Sequence, residues 1–292
     1  MKLSAWLLFT LSLFSLPFSA SAQASFPARG FSPILDDIQA EAKLKNFKDF
    51  FFTPSKNKVF HQGYLYRFEF THYPRTGSPI VHYGMLSGPA PESSRLRIDL
   101  YLNAENGFPY TSFFLSRDSN HSQLWQWSKS TQSTKEVLAR DWLLPWVEGI
   151  NHSPFDLLMP FLKWPYQYEK SGRVCGRPAH LFLFTPPNES SFSETALSSV
   201  RLAIDDTYNA PLRIEHRDGG ILPNRTFSLQ SFKKVADRWV VKTIDSKDRD
   251  SGSKTRFELK AVAHGLDLPE STFQKSGLAF PVQLSSIVFD KI

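Results

Sequence analysis

The side chains with the chemistry for catalysis or metal binding are eight histidines, one cysteine and an adjacent acidic pair in the strand region, Asp205-Asp206. The histidines stand at 61, 72, 82, 121, 152, 180, 216 and 264, and none of their spacings matches HExxH or a comparable metal-ligand pattern. There is no G-x-S-x-G elbow, no phosphate-cradling glycine loop and no serine in a recognisable nucleophile context. Neighbouring strand residues point to opposite faces, so Asp205 and Asp206 read as a strand-end turn rather than cooperating carboxylates. His72 and His82 flank the turn from Pro74 to Pro79, where they can face each other as a surface pair. Cys175, in Gly172-Arg173-Val174-Cys175-Gly176-Arg177, reads as a turn or strand-edge thiol. These residue types point away from catalysis and from a bound metal or cofactor.

The elements that would carry them follow an export signal. Lys2, the apolar run Ala5 to Phe18 and Ser19-Ala20-Ser21-Ala22 form a secretory signal peptide cleaved after Ala22, with an apolar core too short to span a bilayer. Pro160, Lys163 and Pro165 interrupt the most apolar later stretch, around Phe155 to Trp164, so residues 23–292 are expected to be soluble. A lone cysteine excludes a disulfide framework, and no cysteine follows Ala22 to carry a lipid anchor. The formal net charge of +6 is scattered along the chain, which leaves no nucleic-acid footprint. Lys43, Lys45 and Lys48 form the densest basic patch and read as a solvated helix face. The 26 phenylalanines and 7 tryptophans suit a β core or the walls of an apolar pocket.

Ser32-Pro33 predicts a helix start, with Asp36 and Asp37 in its first turn. Leu35, Ile38, Ala42, Leu44, Phe47 and Phe51 would form the apolar face of that helix. Beyond Thr53-Pro54-Ser55 the period becomes two. Tyr64, Tyr66, Phe68 and Phe70 alternate with Leu65, Arg67, Glu69 and Thr71, and Leu96, Ile98, Leu100 and Leu102 alternate with Arg95, Arg97, Asp99 and Tyr101. Further strands are predicted at 80–87, 109–117, 122–128, 165–171, 178–185, 199–206, 211–217, 226–235, 238–246 and 254–262. Short turns between them predict one antiparallel meander. Only Ser133 to Trp164 breaks the regularity, with one helix predicted from Lys135 to Trp142 and a short capped one from Ser153 to Leu162. This insertion is too apolar for a solvent loop and should lie across a sheet face, either as a plug in the core or as a movable lid.

Val200-Arg201-Leu202-Ala203-Ile204-Asp205-Asp206, running into Ala210-Pro211-Leu212-Arg213-Ile214-Glu215, resembles the strand pair of the LolA-like outer-membrane lipoprotein-sorting proteins. Leu266-Asp267-Leu268-Pro269-Glu270-Ser271-Thr272-Phe273 resembles the segment that closes their domain. The resemblance covers most of residues 32–273. It implies a mainly β fold: a strongly curved antiparallel sheet forming an incomplete half-barrel, with an N-terminal amphipathic helix and a mid-chain helical lid. The domain would span 23–273, followed by an extension from 274 to 292. The implied function is a non-catalytic, monomeric periplasmic carrier that shields the acyl chains of a lipoprotein or lipid on the way to the outer membrane. Its partners would be an inner-membrane release complex and an outer-membrane acceptor, with no nucleic acid and no cofactor.

Tyr64, Tyr66, Phe68, Phe70, Leu96, Ile98, Leu100, Leu102, Leu158, Phe161 and Trp164 are the candidates for lining the cavity or its lid. The family's carrier also latches its lid with an arginine near the cavity, a role the resemblance assigns to none of Arg67, Arg95 and Arg97 in particular. Two other classes stay open: a periplasmic protein-interaction module and a secreted hydrolase of unrecognised type.

Overall fold

The computed structural model describes residues 32–52, 62–90, 95–102, 107–117, 122–235, 238–284 and 287–292. The expected export signal and the Thr53-Pro54-Ser55 break lie outside them. The first element among the described residues is helix α1 (Asp37–Phe52). Its start is not at Ser32-Pro33. Asp36 Oδ1 accepts from the Gln39 N–H at 2.8 Å and Gln39 Oε1 accepts from the Asp36 N–H at 3.1 Å, a reciprocal cap that satisfies two orphan amides. The buried side of the helix is Ala40, Leu44 and Phe47, whereas Ile38 and Ala42 are exposed, because at 3.6 residues per turn they fall on the side opposite Leu44 and Phe47. The basic patch is likewise only partly solvated. Lys43 Nζ donates to the Asp206 carbonyl at 2.6 Å and Lys48 sits 5.7 Å from the Tyr166 ring, while Lys45 stays exposed near Asp49.

Fourteen strands follow among the described residues. The first half comprises β1 (Gly63–Tyr73), β2 (Ile80–Gly88), β3 (Arg95–Tyr101), β4 (Thr111–Arg117), β5 (Ser122–Ser128) and β6 (Ser133–Val137). The second comprises β7 (Tyr166–Val174), β8 (Arg177–Phe184), β9 (Ser199–Asp205), β10 (Pro211–Arg217), β11 (Arg225–Val235), β12 (Arg238–Asp248) and β13 (Lys254–Leu266), with the short β14 (Asp290–Lys291). Each half is a meander of neighbouring antiparallel hairpins, and the pairing of β1 with β13 welds them into one sheet. The open edges are therefore β6 and β7, which are consecutive in the chain. The sheet is an unclosed, curved half-barrel, and the segment between Val137 and Tyr166 has to run from one rim to the other.

Ser133–Val137 pairs with β5 from Ser128 to Leu124, where a helix from Lys135 was expected. The backbone hydrogen bonds of an available sheet edge outweigh the helix preference of Lys135 and Glu136. A 3-10 turn, Ala139–Leu143, is what remains of that helix. The second expected helix shortens to α2 (Pro154–Leu158). Pro160 has no N–H to continue it and disfavours helical geometry at Met159, which adopts φ 41° and starts a separate turn, Pro160–Lys163.

The inner face of the sheet holds the main core, including Tyr64, Tyr66, Phe68 and Phe70 of β1 and Leu96, Ile98 and Leu100 of β3. Adjacent residues divide between faces as the pleat requires. Phe113 packs inside against Trp146 at 4.7 Å, and Phe114 packs outside with Trp127, Phe273 and Leu278. Gly84 stands opposite Phe68, and a β-carbon there would come within 2.1 Å of the ring, so the glycine makes room for that aromatic face.

The outer face of the first half is not solvated, as the alternation in β3 suggested. Residues 267–284 and 287–292 fold back over it, burying Leu65, Met85 and Val282 in one cluster and Phe273 and Leu278 in another. Arg97 and Asp99 lie beneath this cover. Arg97 Nε donates to both Asp99 oxygens at 2.9 Å, and its terminal nitrogens donate to the carbonyls of Gly277 at 2.9 Å and Phe280 at 2.5 Å. Arg95 pairs with Glu270, and Arg67 lies over the Phe289 ring at 4.0 Å. All three arginines thus hold the C-terminal segment, and none reaches the insertion.

Candidate functional site

The insertion crosses the concave face and leaves a cavity of about 90 Å³ beneath it. Phe68, Phe70, Leu86 and Ile98 form one wall, and Ile214, Phe227, Leu229, Ile244 and Phe257 form the opposite one. Trp146, His152, Ser153, Asp156, Leu157 and Met159 of the insertion form the roof. A smaller apolar gap lies beside it, between Leu96, Ile98, Phe113, Leu124, Trp146, Leu157 and Leu158. The insertion is held unevenly. Its C-terminal part is set in an aromatic cluster, with Phe155 5.1 Å from Phe192 and Phe161 5.4 Å from Phe184. Its N-terminal part rests on polar contacts with the hairpin joining β12 to β13, where the Asn151 N–H donates to Thr255 Oγ1 at 3.0 Å and Ser253 Oγ donates to Asn151 Oδ1 at 3.0 Å.

Polar groups cluster at the roof. Asp156 caps α2, its Oδ2 accepting from both the N–H and the O–H of Ser153 at 2.7 Å. Its Oδ1 stands 3.2 Å from His216 Nε2 of β10. His152 lies between Phe70 and Phe227, at 4.8 and 5.3 Å, and its Nδ1 faces Ser246 Oγ at 3.4 Å. Burial, reinforced by the Arg225 charge, pushes His152 and His216 down to about 3, so both rings are neutral. Burial pushes Asp156 up to about 6, against the opposing pull of Arg225 and Ser153.

Of the residues expected to line a cavity or lid, Phe68, Phe70 and Ile98 border the cavity, and Leu96 and Leu158 border the neighbouring gap. Tyr64, Tyr66, Leu100, Phe161 and Trp164 are buried in the core away from both. Leu102 falls just past the end of β3 and is 66% exposed, so it leaves the inner face altogether. The sequence reading missed Trp146, His152, Asp156 and the whole second wall. Asp156 alone carried a signal, as the one charged residue between Pro154 and Leu162, three positions after a capping serine.

The other chemically capable residues are engaged structurally. Asp205 is buried, accepts from the N–H groups of Thr207 and Tyr208, and pairs with Arg177 at 2.5 Å. Asp206 pairs with His180 at 2.8 Å. His72 bonds Thr255 and His82 bonds Tyr110, and the strand register sets the two histidines diagonally. Cys175 occupies the tight turn between β7 and β8 at φ 49°. Among the described residues, no group of three histidine, cysteine or acidic side chains could hold a metal ion, and no helix is long and apolar enough to cross a membrane.

A family model described as an uncharacterized protein matches residues 161–279. No curated protein matches the sequence. Solved structures match over most of the fold. A domain named for outer-membrane lipoprotein sorting, from Vibrio parahaemolyticus, aligns with a TM-score of 0.63 and 14% identity over 82% of this chain and 97% of its own. A DUF1329 family protein from Desulfovibrio piger aligns with a TM-score of 0.66 and 12% identity over 84% and 100%. A LolA superfamily protein from Nitrosomonas europaea aligns with a TM-score of 0.58 and 11% identity over 80% and 97%. At these identities the likeness is one of fold, and the fold is the LolA-type half-barrel.

Proposed function

We propose that this chain, with the half-barrel fold of the LolA superfamily, is a non-catalytic carrier that holds acyl chains of a lipoprotein or lipid in the cavity beneath its insertion. The observation that carries this reading is an apolar space on the concave face, roofed by a segment that joins the two open rims. Each methylene withdrawn from water is worth roughly 0.8 kcal/mol, so a multiply acylated molecule does not cross an aqueous compartment unaided. The cavity is smaller than the ~150 Å³ engineered cavity that admits benzene, so it is a starting point for a long chain and not a full receptor. Loading therefore lifts the weakly pinned part of the insertion, residues 149–153, while the aromatic cluster around Phe155 and Phe161 keeps its far end seated.

The expected export signal supports a place in the periplasm. The name of the Vibrio domain supports a lipoprotein as the cargo. The test is mass spectrometry of an organic extract from the full mature chain, residues 23–292, purified from cell envelopes without detergent. Stoichiometric acylated molecules are the expected result. An extract free of lipid, together with a stable protein partner, would move the protein to the interaction-module class.

A further inference from the structure

The roof of the cavity contains two buried hydrogen-bond acceptors with nothing to accept. Ser246 Oγ donates its single proton to the Thr255 carbonyl at 3.1 Å, so toward His152 Nδ1 it can only accept. The proton of the neutral His152 ring therefore sits on Nδ1, and Nε2 carries a bare lone pair. That nitrogen is buried and has no hydrogen-bond partner among the described residues. The ring itself is 7% exposed and forms part of the cavity wall. Asp156 repeats the situation one helical turn away. Its Oδ2 is saturated by Ser153, whereas Oδ1 has no aligned donor, the His216 Nε2 at 3.2 Å lying off the line that a hydrogen bond requires. Arg213, the one cation among the described lining residues, turns its terminal nitrogens to Glu215 and to Cys175 Sγ, both at 3.7 Å, and its buried Nε is the one unpartnered donor against these acceptors.

Buried polar atoms are nearly always partnered, and two unpartnered acceptors on one apolar cavity are the complement of a donor brought in from outside. We propose that His152 Nε2 and Asp156 Oδ1 bind a neutral N–H or O–H donor carried by an acyl or alkyl chain, an amide or a hydroxyl, and disfavour a chain ending in a carboxylate. This rests on the carrier reading and narrows its ligand class. A carboxylate has no proton to offer either acceptor and would add a second negative charge beside Asp156. A hydroxyl or amide supplies the missing donor while the chain occupies the space between Phe68, Phe257 and Ile244.

The test is displacement of an apolar fluorescent probe from the mature protein at pH 8 by dodecanol, dodecanamide and dodecanoate, which share a chain length. The alcohol and the amide should compete about tenfold better than the carboxylate, the discrimination set by leaving buried polar groups unmatched. His152→Phe keeps an aromatic ring between Phe70 and Phe227 and removes the acceptor, so the ratio should collapse to within about twofold. Asp156→Asn keeps an oxygen for Ser153 and turns an N–H₂ into the cavity, so dodecanoate should gain on the other two. The readout is the ratio among the three ligands, which a general loss of affinity does not alter. Equal competition by all three in wild type, or a preference for the carboxylate, overturns the assignment of the acceptors while leaving the carrier reading intact. Failure of the probe and all three ligands to bind overturns both.

Discussion

Two polar networks are buried on opposite faces of one sheet, and they are built to opposite standards. On the convex face, Arg97 and Asp99 satisfy one another, and Ser112 Oγ adds a bond to Asp99 at 2.5 Å while backbone carbonyls of the C-terminal segment take the remaining guanidinium protons. On the concave face, His152, Asp156 and His216 each keep a buried atom without an aligned partner. The first network joins a distant segment to the sheet and leaves nothing for a ligand to do. The second has unused bonding capacity beside an apolar space. A buried charge is compatible with either role, and the degree of satisfaction separates the structural network from the one placed for binding.

The comparison breaks most visibly at Asp99. Asp99→Ala leaves the Arg97 guanidinium buried without its counter-ion and should cost about 3–5 kcal/mol, read as a lower urea midpoint. The C-terminal segment should become protease-sensitive at the same time. A similar contrast exists within the insertion. Phe161→Glu puts a carboxylate into the aromatic cluster and should abolish cooperative folding, whereas Leu157→Glu, on the cavity roof, should remain folded and lose affinity for an apolar probe. Circular-dichroism melts and probe titration of the two variants check this directly. Equal loss of folding in both would make the roof a plain part of the core.

Acid tests the concave network, with a contribution of the same sign from His72 and His82, whose rings burial also pushes down. His152 and His216 have folded-state values of about 3 against 6.5 when free, so the unfolded chain takes up a proton on each that the folded chain refuses. Stability should fall as pH drops below about 6.5, by roughly 1.4 kcal/mol per unit per histidine. Asp156 opposes this between about 6 and 3.8, where the folded chain holds a proton that the unfolded chain releases, leaving about one histidine uncompensated in that window. Melting temperatures should therefore decline from pH 7 to pH 5, and His216→Phe should make the decline shallower by about one proton. A pH-independent melting temperature would contradict the burial of these rings. The smallest effect belongs to Cys175, in an exposed turn that belongs to neither network. Cys175→Ser should shift stability by less than about 0.5 kcal/mol and leave binding unchanged.

The meander and its inward faces were legible in the sequence because period-two alternation, as in Tyr64 to Phe70, is imposed by the pleat itself. The edge strand Ser133–Val137 was not, since its residues carry helix-forming side chains and only the exposed edge of β5 recruits them. The burial of Arg97 and Asp99 was hidden because the cover comes from residues 272–280, far away in the chain. The cavity was half legible. Phe68, Phe70 and Ile98 lie on strands whose alternation showed, but the polar cluster gathers His152 and Asp156 from the insertion, His216 from β10, Arg225 from β11 and Ser246 from β12. These meet only after the sheet has curved and the insertion has crossed it, a juxtaposition that no local spacing encodes.

Filling the cavity tests the central claim most directly. Leu229 and Ile244 are cross-strand partners on its second wall, and Leu229→Phe and Ile244→Phe each extend a ring into the space that an acyl chain would take. The affinity of the mature protein for an acylated peptide, measured by fluorescence titration, should fall at least tenfold in each, with melting temperatures within a few degrees of wild type. Folded variants that bind the acylated peptide as tightly as wild type would contradict the account, because the ligand would then lie somewhere other than beneath the insertion.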